Sequence, residues 1–156
     1  MEAPIPMSDD VNSPTFSGTY RHLMDLKHRV TIPSRWRQGE QDEMFLLPSS
    51  DNNYLYALPP KEFQKVNDKL NSDPRISAAD RQKFARYYFS RALHCVVDRQ
   101  GRLLISEDFL RVAGLENEVL LVGAYDRFEI WNPRRWEQAS ATEANTFQQV
   151  ANLIGV

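Results

Sequence analysis

Short apolar runs, separated by polar segments with turn-forming residues, follow one another along most of the chain. Runs of this length bounded by Gly, Pro, Asn, Asp or Ser predict β-strands. The segments that predict strands are TYRHLM, RVTI, MFLLPSSDNNYLYAL, LHCVV, RLLI and EVLLVGAYDRFEIW, of which the third and the sixth each hold a strand, a turn and a second strand. Two tight turns, DLKH and DRQG, are each predicted to connect the strand before them to a returning strand.

Helix signals lie between these strands. SEDFLRVAG has a Ser cap, acids in the first turn and a terminal Gly, which predicts a short helix, and PSRWR is a weaker version of it. NPRRWEQ predicts the start of another helix, with Asn as the cap and Pro in the first turn. Residues 140–156 predict a weakly amphipathic helix or a frayed end.

A further helix is predicted between the two halves, in SAADRQKFARYYFS. Ser77 is its predicted cap, and Asp80 three residues later completes a start that resembles a capping box. The aromatic residues lie at helical spacing, and a stripe of this kind more often packs in a core than binds a ligand. We therefore expect Phe84, Tyr87 and Tyr88 to pack against the paired units.

The sequence also repeats itself. A shift of 73 residues aligns Asp25 with Asp98, Arg29 with Arg102, Ile32 with Ile105, Leu47 with Leu120 and Pro60 with Pro133. Seven of the 47 pairs from Ser17/Ser90 to Phe63/Trp136 are identical, and no gap is needed. This uniform register indicates a duplication. One copy of about 50 residues buries too little surface to be stable alone, so we expect two pseudo-symmetric halves in one domain.

The net charge of the chain hides two basic islands. The 156 residues carry a formal net charge of −2. Residues 17–39 hold five Lys or Arg and one acid, and residues 81–102 hold six and one, so these 45 residues carry +9 and the other 111 carry −11. One basic stretch is ordinary for a solvated surface, whereas two at matched places of a repeat indicate a function.

Membrane proteins, secreted proteins and enzymes are poorly supported. No apolar run approaches the length of a membrane span, and the Pro-, Asp- and Ser-rich start predicts a disordered tail rather than a secretory signal. The single Cys95 excludes an internal disulfide framework, which fits the cytoplasm. The chain has no Gly-rich phosphate loop, no G-x-S-x-G segment, and no metal-ligand spacing around His22, His28 or His94. We therefore predict no catalytic residue, no metal and no cofactor.

The segments DLKHRVTIP and DRQGRLLIS each contain Asp-x-x-x-Arg at a predicted strand turn. Together with DRQKFARYYFSRA and LLVGAYDRFEIWNPRRW, they resemble the MraZ family, double-repeat members of the SpoVT-AbrB-like swapped-hairpin proteins, over about residues 16–137. The resemblance implies an α+β fold of two pseudo-symmetric swapped-hairpin units packed as one domain, with linking and C-terminal helices. Two positions depart from the family pattern, since His28 stands where the first motif usually has Gly and Ser106 where the second often has Pro.

The resemblance also implies a domain organisation. We divide the chain into a disordered N-terminal tail at 1–15, a first repeat at 16–66, a linking helix at 67–89, a second repeat at 90–137 and a C-terminal helix or tail at 138–156. A tail of this length is longer than the family pattern leads us to expect.

A function follows from the same resemblance. Members of the family are bacterial DNA-binding transcriptional regulators of the division and cell-wall gene cluster, usually repressors, which bind short G-rich direct repeats in their own promoter and assemble into rings. We therefore expect double-stranded DNA and further copies of the chain as partners, no membrane or small-molecule substrate, and a cytoplasmic, nucleoid-associated location. The alternative is an AbrB-like protein-interaction or assembly module, of the antitoxin or scaffold type, in which the acidic part of the chain binds a basic partner.

Seven basic residues are expected to contact DNA, namely Lys27, Arg29, Arg35, Arg37, Arg21, Arg99 and Arg102. A planar guanidinium with five donors suits a phosphate or a guanine edge, so Arg29 and Arg102 at the start of the returning strands are the leading candidates. Each follows an Asp by four residues, and an intramolecular pair with that Asp is an alternative that is compatible with DNA contact. The other arginines of the first island are expected to touch the DNA backbone, which gives affinity without sequence information.

Three residues are expected to shape the two turns. Asp25 and Asp98 are expected to accept hydrogen bonds from backbone N–H groups. Gly101 suits a turn position with a positive φ, where the His28 of the first copy is less comfortable.

The two copies are not expected to contribute equally. Arg35 and Arg37 fall on Asp108 and Leu110 of the second copy, so we expect the first repeat to bind DNA more strongly and Arg29 to matter more than Arg102. A closed homo-oligomer larger than a dimer is also expected, because the apolar segments VLLV and FEIW exceed what one small domain needs.

Overall fold

The computed structural model describes residues 15–156, so nearly all of the tail expected at 1–15 lies outside the described residues. The strands are β1 (Thr19–Leu23), β2 (Arg29–Thr31), β3 (Glu43–Pro48), β4 (Leu55–Leu58), β5 (Leu93–Val96), β6 (Arg102–Leu104), β7 (Glu118–Gly123) and β8 (Phe128–Trp131). The helices are α1 (Pro60–Ser72), α2 (Ala78–Arg91), α3 (Glu107–Ala113) and α4 (Pro133–Ile154), and a 3-10 turn covers Ser34–Trp36. This mixture of helices and antiparallel strands confirms the predicted α+β fold class.

Each repeat completes its sheet with a strand from the other repeat. Six strands form one antiparallel sheet in the order β1-β7-β8-β4-β3-β5, and β2 pairs with β6 in a separate two-stranded ribbon (the ribbon). β1 of the first repeat pairs with β7 of the second, with Tyr20 opposite Leu121. β5 of the second repeat pairs with β3 of the first, with Cys95 opposite Met44. The strands that enter the tight turns, β1 and β5, and the strands that return from them, β2 and β6, all pair across the repeats. This is the swapped-hairpin arrangement.

A pseudo-two-fold axis passes through the ribbon and the six-stranded sheet. In the ribbon Val30 lies opposite Leu103, its own repeat equivalent 73 residues further along the chain, so this pair is the centre of the symmetry. β4 and β8 meet in the same way at Tyr56 and Glu129. The duplication detected in the sequence is thus the internal symmetry of the fold.

The spacing between equivalent residues is not uniform along the chain. Val96 of β5 lies opposite Glu43, and its equivalent Leu23 of β1 lies opposite Glu118. β3 and β7 therefore correspond at a spacing of 75 residues rather than 73. The second repeat has a full helix, α3, where the first has only a 3-10 turn, and its β7–β8 turn is two residues shorter than the β3–β4 turn. The gap-free alignment predicted from the sequence is wrong across β3 and β7.

The inner sides of the ribbon and of the six-stranded sheet share one core. Val30 and Leu103 are fully buried and belong to this core from the ribbon side. The ring of Trp36, from the 3-10 turn of the first repeat, lies 5.2 Å from the ring of Phe128 in the second repeat and 5.6 Å from that of Phe16. Since residues of both repeats interdigitate, the core closes only when both are present.

Three helices cover the opposite face of the six-stranded sheet. Phe63 of α1 stacks on Phe45 with ring centroids 4.0 Å apart. Trp136 of α4 packs edge-on against Trp131 at 5.3 Å. The ribbon and these helices therefore lie on opposite sides of the sheet.

The aromatic stripe of α2 packs less completely than its spacing predicts. The hydroxyl of Tyr88 lies 2.7 Å from that of Tyr56 on β4, and Phe84 stacks on Tyr88. Tyr87 is 65% exposed, so the core prediction is wrong for this residue. Consecutive residues of a helix point about 100° apart, and Tyr87 is turned away from the sheet that Tyr88 contacts.

Two helices occupy the region expected to hold one linking helix at 67–89, because α1 ends at Ser72 and α2 begins at Ala78. Pro74 lies between them and has no N–H group with which to continue the first helix. Asp73 before it is extended, with φ −83° and ψ 113°, as the residue before a proline usually is. The side chain of Ser77 then accepts a hydrogen bond from the N–H of Asp80 and caps α2.

α4 is a longer helix than the sequence predicts. It begins after Asn132, whose side chain accepts hydrogen bonds from the N–H groups of Arg134 and Arg135, and it crosses the boundary placed between 137 and 138. Residues 141–150 are all exposed. The exposed residues include Phe147 and Val150, which together with the exposed Ile154 continue the side of the helix that packs on the sheet at its start. The helix thus extends past the sheet with its apolar side uncovered.

The apolar segments that predict a large homo-oligomer are internal to the fold. VLLV lies in β7 and FEIW in β8, and both strands have neighbours on two sides. Val119, Leu121, Phe128 and Ile130 are fully buried. That reason for an oligomer is therefore wrong, and the exposed apolar surface lies on α4 instead. Among the helices of residues 15–156, none is long and apolar enough to cross a membrane.

Two neighbouring substitutions test whether the ribbon belongs to the core. Leu103→Ala removes a fully buried side chain, so we expect the free energy of unfolding to fall by about 2–5 kcal/mol. Leu104→Ala removes a side chain that is 58% exposed, and we expect a change within about 0.5 kcal/mol. Urea unfolding followed by circular dichroism measures both values. Equal losses would contradict the shared core.

Candidate nucleic-acid interface

The ribbon presents two arginines on its outer side. Successive residues of a strand point to opposite sides, so Arg29 and Arg102 face away from the core into which their neighbours Val30 and Leu103 are buried. Arg29 lies opposite Leu104, which places it diagonally across the ribbon from Arg102. Diagonal neighbours of this kind are about 7–8 Å apart. The two guanidinium groups therefore share one small surface.

Each of these arginines is held by the aspartate that begins its turn. The Asp25 Oδ1 atom accepts hydrogen bonds from the N–H groups of Lys27 and Arg29, both at 2.9 Å, and its Oδ2 atom accepts one from Arg29 Nε at 2.7 Å. The backbone closes the same turn, since the N–H of His28 donates to the Asp25 carbonyl at 3.0 Å. The carboxylate thus fixes the turn and the direction of the arginine together.

The second turn has the same geometry. The Asp98 Oδ1 atom accepts from the N–H groups of Gln100 at 3.0 Å and Arg102 at 2.8 Å, and its Oδ2 atom accepts from Arg102 Nε at 2.8 Å. In both turns the aspartate occupies only Nε. The terminal Nη groups of Arg29 and Arg102 have no hydrogen-bond acceptor within residues 15–156, so they remain available to a ligand.

These hydrogen bonds keep the two carboxyl groups ionised. The backbone N–H of Arg29 is the largest cause that lowers the pKa of Asp25, to about 2, and the Arg29 side chain adds to it. The backbone N–H of Arg102 lowers the pKa of Asp98 in the same way. Both aspartates therefore act as fixed acceptors at physiological pH.

The fourth residue of each turn has a left-handed backbone. Gly101 has φ 81° and its equivalent His28 has φ 63°, a conformation that costs a residue with a Cβ about 1–2 kcal/mol. Gly101 is also covered by a side chain, because a Cβ at this position would lie 2.6 Å from Cζ of Arg37. The Nε atom of Arg37 is buried without a hydrogen-bond partner in the described part of the chain. Arg37 therefore packs on the second turn rather than extending freely into solvent.

The remaining basic residues of the site are placed differently from one another. Lys27 and Arg99 are exposed at the tips of the two turns. Arg35 is exposed, and its Nη1 lies 3.4 Å from the hydroxyl of Tyr20. Arg21 is on the edge strand β1, where its Nη1 forms an ion pair with Glu118 at 3.0 Å. Lys27 and Arg99 thus lie on the turns that hold the two ribbon arginines, whereas Arg21 pairs with an acid and borders the same surface pocket as Arg35.

The exchange of strands changes which basic residues are neighbours. The N–H of Ile32, at the end of the first returning strand, donates to the carbonyl of Gly101 at 2.7 Å, and the N–H of Ile105 donates to the carbonyl of His28 at 3.0 Å. The segment 33–37 therefore lies beside the second turn, and the segment 106–110 lies beside the first. The expectation that Arg35 and Arg37 reinforce Arg29 is wrong, because the swapped pairing places them next to Arg102.

Two exposed apolar residues also lie on this surface, and the charge pattern of the sequence does not identify them. Leu26 is fully exposed at the tip of the first turn, and Leu104 is 58% exposed beside Arg29. The alternation of RLL after the second turn places Leu104 on the same side as Arg102, which is the signal that identifies it. Groups of three or more His, Cys, Asp or Glu able to hold a metal ion are absent from residues 15–156.

The aspartate turns predict an acid-dependent stability. A carboxyl whose pKa is lower in the folded state stabilises the fold above its unfolded pKa of about 3.9, and this stabilisation is lost as the pH falls towards its folded pKa, about 2 for Asp25. We expect Asp25→Asn to lower the melting temperature at pH 7, and we expect the difference from the wild type to vanish near pH 2. Melting curves between about pH 2 and pH 7 test this, and parallel profiles for both proteins would contradict it.

Comparison with known proteins gives concordant matches. A family model described as "MraZ protein, putative antitoxin-like" matches the chain twice, at residues 15–85 and 88–156. A protein named "Transcriptional regulator MraZ" from Caldicellulosiruptor saccharolyticus is 36% identical over 137 residues, which cover 88% of this chain and 94% of the relative. The proteins of the same name from Desulforamulus reducens and Acetivibrio thermocellus are 36% and 37% identical over 139 and 141 residues, covering 89% and 90% of this chain and 96% and 97% of the relatives.

These names describe regulators of transcription rather than enzymes. The two matches of the family model coincide with the two halves that the pseudo-two-fold axis relates. The similarity extends over nearly the whole described chain, including both aspartate turns. The chain belongs to the MraZ family.

Proposed function

We propose that this protein is a sequence-specific DNA-binding regulator of transcription that uses the outer side of the ribbon to contact the major groove. The observation that carries the proposal is the pair of matched arginines, Arg29 and Arg102, held by aspartates with their Nη groups free of partners in residues 15–156. Relatives named as transcriptional regulators support the same class of function.

The shape and chemistry of the ribbon suit a duplex. A two-stranded β-ribbon fits the major groove of B-form DNA, and an arginine that donates to O6 and N7 of guanine is the most common base-specific contact there. The aspartates prevent the arginines from rotating away, so less side-chain freedom is lost when DNA binds. Lys27 and Arg99 at the turn tips suit phosphate contacts, which add affinity and fix position.

The finer parts of the proposal follow the family resemblance. We propose that the operator consists of short G-rich direct repeats in the protein's own promoter, that binding represses the division and cell-wall gene cluster, and that the protein is cytoplasmic and associated with the nucleoid. Arginines directed at guanine edges are in keeping with a G-rich operator. A footprint on the upstream DNA, combined with a promoter fusion in cells with and without the protein, tests both the operator and the sign of regulation.

We also propose that the protein forms a ring-shaped homo-oligomer. The support from the structure is the apolar side of α4 beyond the sheet, where Phe147 and Ile154 are 69% and 68% exposed. The stretch 144–156 has no charged side chain, which is unusual for a helix that faces water on every side. A second copy of the chain that covers this side removes the exposed apolar area from solvent.

A protein-interaction module of the antitoxin or scaffold type is the second candidate function. The observation in its favour is the description of the family model as antitoxin-like, together with the uncovered side of α4. Such a module has no need for two matched arginines with free Nη groups. The salt dependence of binding to the upstream DNA separates the two functions, because phosphate contacts release counterions and a scaffold shows little salt-sensitive affinity.

Removal of both ribbon arginines tests DNA recognition. We expect Arg29→Ala with Arg102→Ala to abolish the preference for the operator over a scrambled duplex, because both side chains are the proposed base contacts. The fold is expected to persist, because both guanidinium groups face away from the core. An arginine that binds a phosphate contributes about 0.9 to the slope of log affinity against log salt, so its removal flattens the slope by that amount. An arginine that reads a guanine contributes about 1–3 kcal/mol of discrimination. Fluorescence anisotropy over a series of salt concentrations measures both effects.

The matched control is a double variant with the same loss of charge on the other side of the sheet. Arg75 pairs with Asp73 through Nε and Nη2 between α1 and α2, and Arg86 is exposed on α2. We expect Arg75→Ala with Arg86→Ala to keep its operator preference. If the ribbon variant is folded and still prefers the operator, the arginines act only in the turns and the second candidate function is favoured.

Substitutions on α4 test the oligomer. We expect Phe147→Ser with Ile154→Ser to reduce the molar mass measured by light scattering, because both side chains are exposed on the apolar side of the helix. Asn145→Ser with Gln149→Ser changes the polar side of the same turns and is expected to leave the mass unchanged. A monomeric wild type at micromolar concentration would contradict the proposal.

A further inference from the structure

The two ends of the ribbon have opposite net charge. The end that we call the Asp98 end consists of residues 98–102 with the neighbouring segment 33–37, and it holds four arginines and one acid, net +3. The Asp25 end consists of residues 25–29 with the neighbouring segment 106–110, and it holds two bases and three acids, net −1. The strand exchange produces this difference, because it brings both arginines of 33–37 to the turn that already has Arg99.

At the Asp98 end the arginines of the neighbouring segment have no acidic partner in the described chain. The guanidinium of Arg37 lies against Gly101, and that of Arg35 donates a hydrogen bond to the hydroxyl of Tyr20. Thr31, which lies opposite Arg102 in the ribbon, borders the same surface pocket as Arg35. A phosphate that approaches this end meets Arg35, Arg99 and Arg102 with one compensating carboxylate.

At the Asp25 end the equivalent positions are acidic or apolar. Asp108 replaces Arg35, its side chain is 81% exposed, and it pairs with Arg111 one helical turn later. Leu110 replaces Arg37, and Glu107 is exposed beside Asp108. Both acids occupy the first turn of α3, where negative charge stabilises a helix. A phosphate that approaches this end meets Lys27 and Arg29 together with three carboxylates, so the attraction is weaker than at the Asp98 end.

We propose that the ribbon binds DNA in one orientation, with the Asp98 end closer to the sugar-phosphate backbone than the Asp25 end. The three-residue ladder is about 10 Å long. This length is comparable to the Debye length of about 8 Å at physiological salt, so the charge of each end acts on the DNA close to it. Arg102 is therefore the principal recognition arginine and Arg35 is its phosphate-contacting neighbour. This orientation deepens the proposed function and rests on it.

One orientation has a consequence for the kind of site that is recognised. A ribbon with two equivalent ends would bind a short sequence equally well in either direction. A ribbon with one cationic end distinguishes the two directions, so its site lacks two-fold symmetry.

Single substitutions at equivalent positions test the orientation. Arg29→Ala and Arg102→Ala each remove the same side chain from the same turn position. We expect Arg102→Ala to lower the affinity for the operator by about 5- to 150-fold, equivalent to about 1–3 kcal/mol, and Arg29→Ala to lower it less. Arg35→Ala is expected to flatten the salt slope by about 0.9. Anisotropy with a duplex from the gene's upstream region measures all three, with melting curves to confirm that each variant is folded.

An exchange variant equalises the charge of the two ends without changing the net charge of the protein. Arg35→Asp with Asp108→Arg gives each end a net charge of +1, and in this background we expect Arg29→Ala and Arg102→Ala to cost similar affinity. Equal losses in the wild-type background, or a difference that the exchange leaves unchanged, would overturn the orientation while leaving DNA binding intact. If the wild type itself shows no salt-dependent preference for the operator, the proposed function fails and the orientation fails with it.

Discussion

The pairing of β2 with β6 is the interaction on which the rest of this structure depends. It joins the returning strand of one repeat to that of the other, and it buries Val30 and Leu103 in a core that neither repeat can close alone. The same pairing sets the two arginines diagonally on the outer side. Without it the chain would contain two small units with incomplete sheets, each below the size at which a hydrophobic core is sufficient.

The aspartate turns show how one contact serves both the fold and the surface. The Asp25 carboxylate needs two backbone N–H groups to shape the turn, and it has a second oxygen left for Arg29 Nε. Because Nε is the donor used, the planar end of the guanidinium points outward. An arginine held in this way is a rigid donor group, in contrast to Lys27, whose flexible ammonium group offers only a point charge.

Local signals in the sequence predicted the local elements well. The cap at Ser106, the left-handed Gly114 and the cap at Asn132 begin or end helices where the pattern places them, since each acts through hydrogen bonds within a few residues. Pro74 also acts locally, and it divides the segment expected to form one linking helix into two helices. The pseudo-symmetry was visible as well, because a turn with Asp and Arg four residues apart occurs twice.

Local signals do not determine the properties that depend on the order of the strands in the sheet. Whether VLLV forms an exposed edge or an internal strand is decided by its neighbours in the sheet, and those neighbours belong to distant segments. The swapped pairing itself came from the family resemblance rather than from the hydrophobic pattern. The neighbours of Arg35 were misassigned for the same reason, since adjacency along the chain placed it with Arg29 and the exchange of strands places it with Arg102. The candidate site was thus predicted residue by residue, but not in its arrangement.

The covalent connection between the repeats makes the ribbon insensitive to dilution. A ribbon built from two separate chains exists only while those chains remain associated, so its population falls as the protein becomes scarce. Here the two strands are tethered within one chain, and their pairing is an intramolecular event with a fixed effective concentration. A cell that holds few copies of this protein therefore still has complete ribbons, and a change in copy number alters how many are present without altering whether each one is formed.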